Sequence, residues 1–298
     1  MRTRIGTAGI RILRPALALA LALALVAPTV RAQEASPPGP HSRQQQSAES
    51  GEPGSIEYAP PRKGLAARTL EDAKSYFTAP LRWNGRDWEY FGGALAAIAI
   101  AHHYDTQVRT HFDAGSSSPL GPKESGELTD ALPSAALFLG TWGYASLIGS
   151  HAGEGEAWNM FESSGLSLVS AYALKYIVRR PGPDTTTDPN HWFSGGSSFP
   201  SEHTTLAFAV GTVLAESGNP EFRWIRRTIG YGVGIGTAYL RMKHNAHWLS
   251  DTVAGAALGM ASAHFVMDRS AEREQNSEIS LVPVQGGVML AYTAEFPN

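Results

Sequence analysis

Between Leu65 and about Arg269 the chain alternates apolar stretches rich in alanine and glycine with short polar breaks, near 66–78, 86–112, 129–150, 156–179, 202–217, 222–242 and 246–268. Apolar stretches of this length, with polar residues collected at their ends, predict α-helices. The expected fold class is all-α, a helical bundle. Ala131–Gly153 alone runs past about 20 residues without a formal charge, the length a bilayer-spanning helix needs. Most of the others have uncharged runs of roughly 12 to 16 residues, nearer to buried helices of a globular bundle. A soluble or peripheral bundle and a membrane-embedded one both stay open, with the shorter runs favouring the first.

The flanks read differently. Residues 1–32 carry Arg2, Arg4, Arg11 and Arg14, then an Ala/Leu run, then Val30-Arg31-Ala32, the pattern of a cleaved export signal; a retained membrane anchor is the alternative. Residues 33–64 are rich in Pro, Ser, Gln and Gly and predict a disordered linker. The helical domain is expected over 65–269. The tail, 270–298, alternates in its second half around a Gly286-Gly287 break, which fits a terminal β-hairpin. In "YGVGIGTAYL" the alternating Gly232, Gly234 and Gly236 lack the strand-to-helix setting of a dinucleotide loop and predict close helix packing.

Composition narrows the chemistry. With 298 residues, 43% hydrophobic and 17% charged, the chain suits one core with tails. There is no cysteine, which excludes disulfides, thiolate metal sites and thiol nucleophiles. Loss of residues 1–32 removes five arginines and no acids, so 24 basic residues become 19 against 27 acidic ones, a formal charge of −8. That balance argues against nucleic acid as a partner, and an anionic substrate would need a local cluster of cations.

Three stretches collect titratable groups at the ends of apolar segments. In "LKYIVRRPGPD", Lys175, Arg179 and Arg180 precede two prolines; C-terminal helix capping explains such cations as well as a binding role does. In "GGSSFPSEHTTLAFAV", a Gly/Ser loop and Pro200 lead into Ser201, Glu202 and His203 at a helix start, where unpaired amides suit either an anion or a simple N-cap. In "LRMKHNAHWLSDTVAGAALG", Arg241 closes one segment, and His247 and Asp251 open the next. On a helix that spacing places both side chains on one face, and a carboxylate-oriented imidazole can serve as general base or nucleophile. His244, His247 and Asp251 also permit a metal, although the H-E-x-x-H pattern of hydrolytic zinc sites is absent. His102, His103, His111, His151 and His191 lack such surroundings and read as ordinary structural or surface histidines.

Taken in order, the three stretches resemble the tripartite signature of the type 2 phosphatidic acid phosphatase and vanadium haloperoxidase superfamily, K-x6-R-P, P-S-G-H and S-R-x5-H-x3-D. The last element is matched by Arg241, His247 and Asp251. Counted from Lys175, the signature's arginine falls on Gly182, and Arg180-Pro181 lies two residues earlier; Glu202 stands for the glycine, and Leu240 for the serine.

The resemblance implies a helical bundle of the acid phosphatase/haloperoxidase type and a metal-independent phosphatase with no cofactor, hydrolysing a phosphomonoester or pyrophosphate of a small molecule or a lipid. It implies His247 as nucleophile forming a phosphohistidine, His203 as acid and base, and Asp251 as orienting acid. Lys175, Arg180, Ser201, the Glu202 amide and Arg241 would hold the phosphate. An exported, periplasmic setting and membrane association fit the leader and the apolar helices. A non-catalytic anion- or lipid-binding member and a vanadium-dependent haloperoxidase are the alternatives.

Overall fold

The computed structural model describes residues 65–115, 123–275, 277–284 and 287–294. The expected export signal at 1–32 and linker at 33–64 lie outside the described residues. Eight helices follow within them: α1 (Leu65–Thr78), α2 (Gly85–His103), α3 (Asp105–Gly115), α4 (Lys123–Ile148), α5 (His151–Val178), α6 (Glu202–Glu216), α7 (Arg223–Lys243) and α8 (Leu249–Gln275). Short 3-10 turns at Ala79–Arg82 and Pro220–Phe222 precede α2 and α7. A two-stranded antiparallel hairpin, β1 (Ser277–Val284) with β2 (Gly287–Ala294), closes the chain in the register Val284 opposite Gly287. The all-α bundle with a terminal hairpin is the architecture the pattern predicted.

Local chemistry sets the boundaries. Asn84 accepts the amides of Arg86 and Asp87 while Asp87 accepts that of Asn84, a reciprocal capping box that starts α2. Ser150 accepts the Gly153 amide and starts α5. At its other end, Arg179 adopts a left-handed conformation (φ 48°, ψ 43°) and its N–H caps the Lys175 carbonyl.

The single segment expected at 86–112 is two helices. The chain breaks at Tyr104, with no proline or glycine to announce it, and the break turns the wholly buried Asp105 toward the start of α8, where one carboxylate oxygen accepts the Ser250 amide at 2.8 Å. An unfulfilled helix N-terminus paired with a buried acid stabilises both.

Helix α6 is the centre of the bundle, with eleven of its fifteen residues buried. Met160 of α5, Val210 and Val213 of α6 and Ala263 of α8 form one part of the core; Phe208, Tyr231 of α7, Ala256 and Met260 form another. Ala97 and Ala101 of α2 meet Leu249 and Val253 of α8 in a third.

Helices α6 and α7 cross so tightly that a Cβ on Gly230 would lie 2.1 Å from the Gly211 carbonyl oxygen, and one on Gly211 would lie 2.3 Å from that of Gly230. Gly234, one turn on from Gly230, abuts the Phe208 ring. The expectation for the alternating glycines therefore holds for Gly234 but is corrected for Gly232 and Gly236, which face open space. A helix repeats its face every three to four residues, so an alternation of two puts neighbours on different sides.

Outside the core, large apolar side chains point outward. On α4, Leu132, Leu139, Trp142 and Leu147 are exposed, as are Tyr176 and Ile177 near the end of α5. Among the described residues, Thr129–Ile148 is the helix segment long and apolar enough to cross a membrane by length and composition.

Gly230→Ala should lower stability by about 1–3 kcal/mol through overpacking, whereas Gly232→Ala should raise it by up to about 1 kcal/mol through helix propensity. Denaturant unfolding of the two variants beside the parent chain reads both, and equal effects would contradict the crossing geometry.

Candidate active site

The three chemistry-bearing stretches converge where the end of α5, the start of α6 and the α7–α8 turn meet. The connection from α5 to α6 folds back on the residues that leave α5. The amides of Ser194 and Gly196 bond the Arg179 carbonyl at 3.1 and 2.9 Å, and that of Ser198 bonds the Arg180 carbonyl at 2.8 Å. The Ser201 amide then bonds the Asp251 carbonyl at 3.0 Å, which ties the start of α6 to that of α8.

His247 is buried, and it lies before α8 rather than on it. The helical-face reading of the His247–Asp251 spacing is therefore corrected: Asp251 belongs to the first turn of α8, and its carboxylate accepts the Trp248 amide at 3.0 Å as an N-terminal cap. The His247 Nδ1 lies 3.7 Å from Asp251 and donates instead to the Ser198 carbonyl oxygen at 2.7 Å. A neutral ring so held carries its lone pair on Nε2. Burial pushes His247 below its ordinary value; Asp251 opposes the shift and the Lys175 and Arg241 charges add to it.

Asp251 is wholly buried and fully engaged. One oxygen accepts from Arg180 at 2.6 Å; the other accepts the Trp248 amide and the Ser198 hydroxyl. Burial alone would raise its pKa, but the nearby His247 ring, the Arg180 charge and the Ser198 hydroxyl outweigh it and hold the carboxyl below its ordinary range.

Arg180 was expected to grip phosphate, and the structure commits it elsewhere. Its side chain is 1% exposed. Nη1 donates to Asp251 and to the Ser250 hydroxyl at 2.8 Å, Nη2 to Asp105 and the Pro189 carbonyl at 2.7 Å each, and Nε to the same carbonyl at 3.1 Å. The guanidinium also lies over the Trp192 ring, 4.2 Å from its centroid. A planar fork with this set of partners holds segments together and has no edge left for an oxyanion. The signature's arginine position, Gly182, is crowded: a Cβ there would lie 2.5 Å from the Asp184 carboxylate, which would have to swing aside, and 3.0 Å from the Ala246 carbonyl.

The remaining expected residues do gather near His247. Lys175 is buried, donates to the Ser197 carbonyl and pairs with Glu202 at 3.1 Å. Arg241 is buried and donates to Asp130 of α4 at 3.0 Å, while its Nε has no partner among the described residues. His203, in the first turn of α6, has Nδ1 3.8 Å from Glu202. Ser201 is the N-cap residue of α6, but its hydroxyl accepts from Thr204 at 3.0 Å and does not cap the helix amides. His244 joins Arg241 on Asp130 at 3.1 Å and is not gathered with His247 and Asp251 into a metal cluster among the described residues.

Four contributors escaped the sequence reading. Asp105 and Asp130 lie outside the three stretches, and Ser198 and Ser250 lie inside two of them at positions without a titratable group; the available signal was that Asp105 and Asp130 are acids bordering long apolar runs. His102, read as ordinary, contacts Asp105 at 2.9 Å and Asn190 at 3.0 Å and so braces the Arg180 network.

Residues 156–274 match the family model described as the PAP2 superfamily. The resemblance carried by the three motifs thus holds over the segment that contains them all. A curated relative, the lipid A 1-phosphatase of Porphyromonas gingivalis, is 30% identical over 115 residues, 37% of this chain. The match spans 24% of that relative's own length. The crystal structure of Aquifex aeolicus LpxE is 20% identical, covering 52% of this chain and 89% of that one, with a TM-score of 0.35.

Removing Arg180 leaves two buried carboxylates uncompensated, so Arg180→Met should cost about 3–5 kcal/mol of stability, read by thermal or denaturant unfolding. Because the folded pKa of Asp251 lies below its ordinary 3.8, its contribution is complete above that value and is lost as pH falls through the folded one. Stability measured against pH should therefore drop below about pH 4, and Asp251→Asn, though less stable at neutral pH, should show a shallower drop.

Proposed function

We propose that the chain is a phosphatase that hydrolyses a phosphomonoester or pyrophosphate, of a lipid in the favoured case, through a phosphohistidine at His247. The observation that carries the reading is the fixed His247 ring: Nδ1 is held by the Ser198 carbonyl at 2.7 Å, which aims the Nε2 lone pair. Support comes from the cations in electrostatic reach, Lys175 and Arg241, and from the first-turn amides of α6 that Ser201 does not cap.

In the proposed cycle, Nε2 of His247 attacks phosphorus as the bond to the leaving oxygen breaks. His203, protonated at the outset, gives its proton to that oxygen. It then takes a proton from water, whose oxygen attacks phosphorus and breaks the P–N bond, releasing phosphate and restoring His247. Lys175, Arg241, Ser201 and the amides of Glu202 and His203 hold the oxygens; Asp251 balances the imidazolium through space at 3.7 Å. Arg180 acts as a positioning residue for Asp251.

The lipid preference rests on the relative named as a lipid A 1-phosphatase and on the outward apolar side chains of α4 and α5. A chain exported across the membrane, with those faces against lipid, would meet such a substrate at a bilayer surface. A second reading, a non-catalytic anion- or lipid-binding protein, draws on the Lys175–Glu202 pair and on the missing arginine at Gly182.

Phosphate release by the purified chain from soluble phosphomonoesters and from phosphorylated lipids, with and without detergent, tests the two. Turnover should survive a chelator, be inhibited by vanadate and vanish in His247→Ala; turnover kept in that variant defeats the assignment. Binding without turnover on every substrate favours the second reading. Since His247 must be neutral to attack and burial sets it below 6.5, activity should persist from neutral pH to below that value before it falls.

A further inference from the structure

Each cation around His247 already has a carboxylate of its own. Arg180 lies between Asp105 and Asp251, Arg241 is on Asp130, and Lys175 is on Glu202. Three of these acids are sealed in the core, their side chains 0% exposed, and cannot leave without opening it. Glu202 differs: its side chain is 26% exposed and projects from the first residue of α6.

Its carboxylate sits where an anion would. One oxygen is 3.1 Å from the Lys175 ammonium and the other 3.8 Å from the His203 ring. Burial works against its charge, but Lys175, His247 and His203 outweigh that and hold it below the usual carboxylate range, so it is ionised at neutral pH. A bound phosphate would meet this charge at close range, and Gly182 leaves no second arginine to offset it.

We propose that Glu202 is a built-in occupant of the anion cradle, a displaceable carboxylate that any phosphate must evict from Lys175 before it can reach His247. The proposal rests on the phosphatase reading and deepens it, by making Glu202 the residue that sets how tightly a phosphate must bind to enter. Orthophosphate, with only its own oxygens to bind by, competes poorly with a tethered carboxylate. A phosphate ester whose alcohol portion adds contacts of its own can meet the cost. The cost is common to every phosphate, so it leaves the free product and small soluble esters largely unbound at concentrations at which a larger substrate, such as a phosphorylated lipid, still fills the site.

The test compares the full chain with Glu202→Gln and Glu202→Gly by calorimetric titration with inorganic phosphate at neutral pH, and by KM for a small aryl phosphate. Both variants should bind phosphate about tenfold more tightly or better, since a like charge is removed from its side. KM for the small ester should fall in step. Glu202→Asp, which keeps the charge, should stay close to the parent chain, and the gain should vanish in the Lys175→Gln/Glu202→Gln double variant. Phosphate affinity that is unchanged or weaker in both Glu202→Gln and Glu202→Gly, or undetectable in all chains, overturns the proposal; the Gln variant keeps the size of the side chain and covers the case in which the Gly variant folds poorly. Tighter phosphate binding with no turnover in any chain would leave the gate standing and remove the phosphatase reading. Turnover with unaltered phosphate affinity would do the reverse.

Discussion

A guanidinium shut away from water between two carboxylates is the constraint on which the molecule turns. Arg180 bridges Asp105, at the junction of α2 and α3, to Asp251, in the first turn of α8, and the Pro189 carbonyl and the Ser250 hydroxyl take its remaining donors. An isolated ion in this position would be prohibitive, so three segments distant in sequence must arrive together or not at all. The same network fixes the Asp251 carboxylate, which binds the Ser198 hydroxyl, and the Ser198 carbonyl in turn aims His247. The reactive ring is thus positioned by a chain of contacts that begins with a buried ion triad and passes through buried residues throughout.

The electrostatic character of the site follows from pairing. Lys175, Arg180 and Arg241 bring positive charge close to one imidazole, and each is answered by an acid from a different part of the fold. Two of the answers, Asp130 and the Asp105–Asp251 pair, are structural and permanent. The third, Glu202, stands at a helix start where the macrodipole also favours a negative charge. Lys175 is therefore the cation whose partner can change.

Much of the helical layout was legible because burial demands apolar stretches of helical length, and the capped starts of α2 and α5 needed only local rules. The convergence of Lys175, His203, Arg241, His247 and Asp251 near one another was legible from motif order, although their roles rest on the proposed chemistry. What could not be read were features decided by tertiary partners. The break at Tyr104 has no local signal, because its cause is Asp105 meeting the α8 terminus 145 residues later. Counting residues placed His247 and Asp251 on one helical turn, but Trp248 needs a cap and ends the helix short of His247. Arg180 looked like an anion ligand because charge is visible in a sequence and saturation of its donors is not. The alternating glycines misled for a geometric reason: closeness belongs to a face, and Gly230 with Gly234 shares one that Gly232 does not.

The connection between α5 and α6 carries a final implication. Its start is laced to its end by the Arg179 and Arg180 carbonyls, a Cβ on Gly196 would lie 2.3 Å from the Arg180 carbonyl oxygen, and Pro189 and Trp192 both face the Arg180 side chain. Between them the chain is held by turns of its own: the Thr186 amide bonds the Gly182 carbonyl at 3.2 Å, the Asp188 amide bonds the Thr186 hydroxyl at 3.2 Å, and the Asn190 amide bonds the Asp188 carboxylate at 2.9 Å. An extra residue in this connection would displace one of these turns, or a carbonyl or a ring that seats the guanidinium. Change in this connection therefore has to proceed by exchanging side chains in place.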